Sequence, residues 1–119
     1  MIGFADVRAE SALESVARVR FAQFKIPAPA LQANISGTRG FIGRADFCWH
    51  QYRTIGEADG ALKYAERGRE RARAQLARDE KFRDAGWETF HFTWHEIYHD
   101  PQPTIDRLRR AFARRRRTA

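Results

Sequence analysis

The chain predicts an α/β fold in which a mixed four-stranded sheet is flanked by helices and followed by a C-terminal helix. Three observations carry this. Apolar residues recur at helical spacing near the start and stop before a proline pair. Three short segments with turn residues between them follow. A densely charged helical stretch then leads to one more alternating segment and a last amphipathic run. With 119 residues the chain has room for a single core. Apolar residues make up 43%, including three Trp and nine Phe, which argues for a packed interior.

Ser11-Ala12-Leu13-Glu14 has the Ser-x-x-Glu form of a capping box, and Leu13, Val16, Ala17, Phe21 and Phe24 follow at helical spacing. The spacing predicts a helix over 11–24, ended before Pro27-Ala28-Pro29, where proline removes backbone donors. Leu31 to Ile35 reads as a strand, Ser36 to Gly40 as a turn, and Phe41 to Cys48 as a second strand. A two-residue turn at His50-Gln51 leads to a third, Arg53 to Ala58.

Beyond Asp59-Gly60 the chain is helical, with Gly68 an expected interruption and the main helix over 70–85. Ala72, Leu76, Asp79 and Phe82 or Arg83 form its weak buried stripe. Gly86 caps it. Trp87 to Phe92 alternates as a fourth strand, and Thr93-Trp94-His95-Glu96 is a second capping box. Ile105, Leu108 and Phe112 mark the apolar stripe of the last helix. The single domain spans 1–119, with a core over about 11–113 and a basic tail over 114–119 expected to be disordered.

The formal charge is +7, with a sequence pI near 10.5, which favours a polyanionic partner. Arg67, Arg69, Arg71 and Arg73 form one basic cluster; Arg107, Arg109, Arg110 and Arg114 to Arg117 form another. Such runs also occur as plain solvated helix faces. A membrane span needs about 18 apolar residues in a row, and neither such a run nor a signal-peptide pattern occurs, so the expected compartment is the cytoplasm. The lone Cys48 excludes an internal disulfide and a cysteine-rich zinc site. His91, His95 and His99 recur at intervals of four, but His91 falls in a strand, so the three do not share a helix face. Neither a nucleophile elbow nor a P-loop is present.

The candidate chemistry lies in carboxylates. Asp46 interrupts the most apolar strand, where an unpaired charge is costly. With the two-residue turn, Asp46 faces Ile55 and Arg44 faces Glu57, so Asp46, Glu57 and Asp59 project to one side. Asp46 and Glu57 are then diagonal neighbours roughly 7–8 Å apart at the backbone, a span two carboxylates bridge through one Mg²⁺ or Mn²⁺. A turn longer by one residue would send Glu57 to the opposite face. Ordinary roles compete: Glu14 as a capping-box residue, Glu57 as a partner for Arg44, Asp59-Gly60 as a turn and Lys63 as a solvated lysine.

The stretches ALES, PAPALQANI, GRADFCWHQYRTIGEADGALKY and ARDEKFRDAGWETFHFTWHEIYHDPQPTIDRLRRAF resemble the endonuclease-like domain found behind AbiEi-type antitoxin regions. That family is similar to very-short-patch-repair endonucleases within the PD-(D/E)XK, or restriction-endonuclease-like, superfamily. The resemblance covers about 11–112. It implies an αβββαβ core, a divalent cation (Mg²⁺ or Mn²⁺) and hydrolysis of phosphodiester bonds, with DNA the expected partner and a toxin-antitoxin or defence setting. It also implies that Glu14 is the helix acid, and that Asp46 and Glu57 are the metal-binding pair. The motif lysine expected two residues after Glu57 is replaced by Asp59, an accessory candidate, leaving Lys63 or Lys81 to supply the ammonium. A non-catalytic DNA- or partner-binding module that keeps this fold is the alternative.

Overall fold

The computed structural model describes residues 4–59 and 65–118, and side chains over 11–59 and 68–115. The elements are α1 (Phe4–Gln23), β1 (Ala30–Gly37), β2 (Gly40–Trp49), β3 (Thr54–Asp59), α2 (Ala65–Asp84), β4 (Glu88–Thr93), α3 (Trp94–His99) and α4 (Pro101–Thr118). The sheet order is β1-β2-β3-β4. The first three strands form an antiparallel meander, and β4 lies parallel to β3. This is the predicted mixed α/β architecture with helices flanking the sheet. Among the described residues no helix is long and apolar enough to cross a membrane.

Two apolar layers sandwich the sheet. On one side Leu13, Ala17 and Phe21 of α1 meet Phe47, Trp49, Phe90 and Phe92 of the strands, together with Ile97 of α3 and Ile105, Leu108 and Phe112 of α4. The predicted stripe of the last helix is thus buried throughout. On the other side Phe82 of α2 packs with Ile35, Ala45, Cys48, Ile55 and Trp87. Cys48 is buried there as apolar filling.

Several local expectations are corrected. Helix α1 starts at Phe4, which puts Ser11 inside it rather than at an N-cap. The Ser15 hydroxyl donates to the Ser11 carbonyl, as serines within helices do. The helix ends before the prolines act: Lys25 takes a left-handed conformation (φ 59°), and the N–H of Ile26 donates to the Phe21 carbonyl, closing a Schellman-type cap. Gly68 does not interrupt α2, where an interior glycine costs about 1 kcal/mol relative to alanine. Of the stripe expected along α2, Asp79 and Phe82 are buried, but Leu76 is 60% exposed. Gly86, with φ 90°, ends the helix as predicted. The Thr93–Glu96 capping box opens α3 as predicted, with both reciprocal hydrogen bonds formed. Helix α4 continues past Ala113 to Thr118 instead of giving way to a disordered tail. Arginine favours helix, and the extension is tied down where Arg114 pairs with Glu88 and Arg115 donates to the Gly86 carbonyl.

The β2–β3 connection decides the site. In place of a two-residue turn, a 3₁₀ turn over His50–Tyr52 is followed by Arg53 in a left-handed conformation (φ 44°). Tertiary anchors hold this longer turn. Tyr52 stacks on Phe112, and the Arg53 guanidinium lies over Trp87 and donates to the carbonyls of Ala85 and Gly86. The ladder therefore pairs Phe47 with Gly56, Cys48 with Ile55 and Trp49 with Thr54. The turn is longer by two residues, not one, so the facing of the side chains is preserved.

Candidate functional site

The β2–β3 ladder ends at Phe47 and Gly56, and Asp46 and Glu57 stand one step beyond it. Continued by one step, that register opposes them directly rather than diagonally, which corrects the expected pairing of Arg44 with Glu57. Asp46 Oδ2 accepts the backbone N–H of Ala58 at 3.0 Å, so a side-chain carboxylate does the work of a strand carbonyl where the strands part. This explains how a carboxylate is kept in the most apolar strand: it is half-buried and hydrogen-bonded.

Glu57 is only 6% exposed. Its Oε1 lies 2.9 Å from Arg78 Nη2 of α2. That nitrogen also donates to the Arg44 carbonyl, and Glu57 Oε1 accepts no hydrogen bond of good geometry. The contact with Arg78 is thus Coulombic more than directional. Burial, and then the negative charge of Asp46 beside it, push the Glu57 carboxyl up to about 7, against the opposing pull of Arg78 and His91. Near neutral pH the two carboxyls share a site in which two full negative charges are disfavoured.

The sheet extends this row. His91 of β4 is the register partner of Glu57. Its Nε2 lies 2.8 Å from Asp79 Oδ2 on α2, and its Nδ1 lies 3.2 Å from Asp59 Oδ1 on β3. The hydrogen bond to Asp59 is the main cause that raises its pKa; burial opposes the rise, and the charge of Asp79 adds to it. Protonated His91 can donate to both carboxylates and so pins α2 to the β3–β4 pair. Arg78 is the residue next to Asp79, so this clamp also places the guanidinium over Glu57.

The expected residues divide accordingly. Asp46 and Glu57 come together. Glu14 of α1 instead accepts a hydrogen bond from Gln32 of β1, a residue with φ 50°. Among the described residues, no group of three or more His, Cys, Asp or Glu side chains is arranged to hold a metal ion. Asp59 is engaged with His91 and acts as a structural acceptor. Lys81 is exposed on the last turn of α2, off the Gln75, Arg78, Asp79 and Phe82 face that meets the sheet. Lys63 lies outside the described residues, as does the Arg67 side chain. Arg69, Arg71 and Arg73 are exposed, but steps of two residues scatter them around the helix rather than along one face. Arg78, Asp79 and His91 were not anticipated. His91 was recognisable as a strand residue whose neighbours Phe90 and Phe92 face the other way. What it meets depends on a parallel pairing that sequence does not reveal.

The fold and this site define a small α/β domain with a carboxylate pair at the parting of two central strands. The chain is similar to two Mycobacterium tuberculosis proteins, uncharacterized protein MT2308 of strain CDC 1551 / Oshkosh and uncharacterized protein Rv2248 of strain ATCC 25618 / H37Rv. Each is 31% identical over 120 residues, covering 98% of this chain and 42% of the relative, so the chain spans less than half the length of these relatives. No family model matches the chain, and no solved structure matches it.

Proposed function

We propose that this domain hydrolyses phosphodiester bonds of DNA with a divalent cation, Mg²⁺ or Mn²⁺, held by Asp46 and Glu57. The observation that carries the reading is the pair itself: two carboxyls side by side, one with a buried oxygen that lacks a directed hydrogen bond and resists ionisation beside the other. Such a pair fits a hard cation, which commonly takes one or two carboxylates and fills its remaining positions with water and phosphate oxygens. When bound, the cation would supply Lewis acidity toward the phosphate and a more acidic water.

The chain's own groups do the positioning. Asp46 is held by the Ala58 amide, so its carboxylate is aimed before any ligand arrives. Arg78 balances the charge of Glu57 and offers guanidinium donors to a phosphate oxygen. The His91 clamp keeps Arg78 in place, with Asp59 as one of its two jaws, which gives this residue a use at the position where the resembling family carries lysine.

The test is Mg²⁺- or Mn²⁺-dependent cleavage of plasmid and oligonucleotide DNA. Wild type should cut, and Asp46→Ala and Glu57→Ala should fall to background. A wild type that does not cut, or variants that cut equally, would overturn the reading.

The ion pair between Arg78 and Glu57, together with Asp59 at the lysine position, favours one second reading: a non-catalytic DNA-binding module. It expects binding that falls steeply with salt, needs no cation and survives both alanine substitutions.

A further inference from the structure

A cleft of about 380 Å³ runs along the outer edge of β4, lined by Thr89, Phe90 and His91 and by Arg107, Arg110, Ala111 and Arg114 of α4. Three arginines at intervals of three and four lie on one face of a helix. We infer that this cleft holds the sugar-phosphate backbone of the nucleic acid and leads it to the Asp46–Glu57 pair. The inference rests on the nuclease reading for its choice of polyanion.

Three features converge. β4 is the last strand of the sheet. The N–H of Glu88 donates inward to the Arg53 carbonyl, and by strand alternation the N–H groups of Thr89 and His91 point outward into the cleft. A sheet edge presents unpaired N–H and C=O groups in alternation, and the N–H groups of Thr89 and His91 can donate to phosphate oxygens.

The arginines are unequally committed. Arg107 pairs with Glu96 at 2.9 Å and lies over Phe90, and Arg114 pairs with Glu88, so these two are held in place at the two ends of the cleft. Arg110, between them, is exposed and forms no ion pair among the described residues. Backbone N–H groups on one wall and a guanidinium on the other are the usual means by which proteins hold phosphates without reading bases. Glu88 and Glu96 are already neutralised by their arginines, and Asp59 and Asp79 are turned toward His91, which leaves Arg110 as the positive charge on the α4 wall.

His91 joins the cleft to the acidic site. It lines the cleft and is the register partner of Glu57. Two strand spacings, about 10 Å, separate β4 from β2. A nucleic acid strand that advances about 3.4 Å per nucleotide along the helix axis covers this in about three nucleotides.

The experiment uses the full chain and a short fluorescein-labelled DNA duplex in EDTA, so that no cation contributes. Fluorescence anisotropy compares wild type with Arg110→Gln and with Arg18→Gln, an equal charge loss on the exposed surface of α1. Arg110→Gln should weaken binding roughly five- to tenfold at about 100 mM salt and lower the salt slope by about 1, with Arg18→Gln close to wild type. In ¹H–¹⁵N spectra the amides of Thr89 and His91 should shift on adding unlabelled duplex. Absence of binding, equal losses in the two variants, or unmoved Thr89 and His91 amides would overturn the inference. Because no cation is present, a cleft that binds in a protein that never cuts leaves this inference standing and removes the nuclease reading. Cleavage that is indifferent to Arg110→Gln does the reverse.

Discussion

Replacing Glu57 by glutamine should make the protein more stable in a pH-dependent way, and the size of the effect follows from the site. The Glu57 carboxyl has an ordinary value of 4.5 and is raised in the fold to about 7, chiefly by burial. A tenfold change in proton affinity is worth about 1.4 kcal/mol. Below about pH 4.5 both folded and unfolded chains carry the proton. Between there and about pH 7 the folded chain keeps a proton that the unfolded chain has released, so stability falls as pH rises and levels off above the folded value. The loss amounts to roughly 3 kcal/mol, and with Glu57 almost fully buried, solvent screening does not reduce it much. A glutamine side chain keeps the shape and does not titrate. The stability difference between Glu57→Gln and wild type should therefore swing by about 3 kcal/mol in the variant's favour between about pH 4.5 and 8. Urea unfolding followed by tryptophan fluorescence would report it. With a urea dependence of about 1.5 kcal/mol per molar, the midpoint difference changes by about 2 M across that range. Parallel pH profiles for the two proteins would contradict this, because they would mean that Glu57 ionises in the fold as it does in the unfolded chain.

Two further predictions use the groups around Glu57. A Cβ at Gly43 would lie 2.9 Å from Arg78 Nε and 3.3 Å from the Phe82 ring, so Gly43→Ala should displace the guanidinium at small cost to folding and push the Glu57 carboxyl above its wild-type value; ¹³C titration of side-chain carboxyls reads this, and an unchanged Glu57 would contradict it. His91 has its pKa raised in the fold, so its stabilisation is complete below its ordinary value of 6.5 and is lost as pH rises through the higher folded value. Asp79→Asn should bring the imidazole titration down and weaken that loss, as followed by histidine ¹H–¹⁵N spectra; a His91 that titrates identically in the variant would show that α2 is not held by this clamp.

Local patterning carried most of the architecture. Helical spacing of Leu13, Ala17 and Phe21 and of Ile105, Leu108 and Phe112 marked the buried faces of α1 and α4, because a 3.6-residue period is written in the chain itself. The Thr93–Glu96 box and Gly86 likewise act within a few residues and were legible. The same Ser-x-x-Glu pattern at Ser11 was misleading, because a capping box has meaning only where a helix begins, and α1 begins seven residues earlier at Phe4. The outward spread of α4 into the basic tail was hidden for a related reason: its anchors, Glu88 and the Gly86 carbonyl, lie far away in sequence.

That Asp46 and Glu57 occupy neighbouring strands was legible in the chain, because strand positions and alternation are local properties. That they stand opposite one another came from packing between distant parts of the chain. The turn between them is set by Tyr52 against Phe112 and by Arg53 against Trp87 and the end of α2. It was also tertiary structure that separated Glu14 from the pair, through Gln32, and brought in Arg78 and His91. A parallel crossover from β3 through α2 to β4 leaves no periodic mark in the chain, so the groups it delivers to Glu57 are fixed by packing and not by spacing.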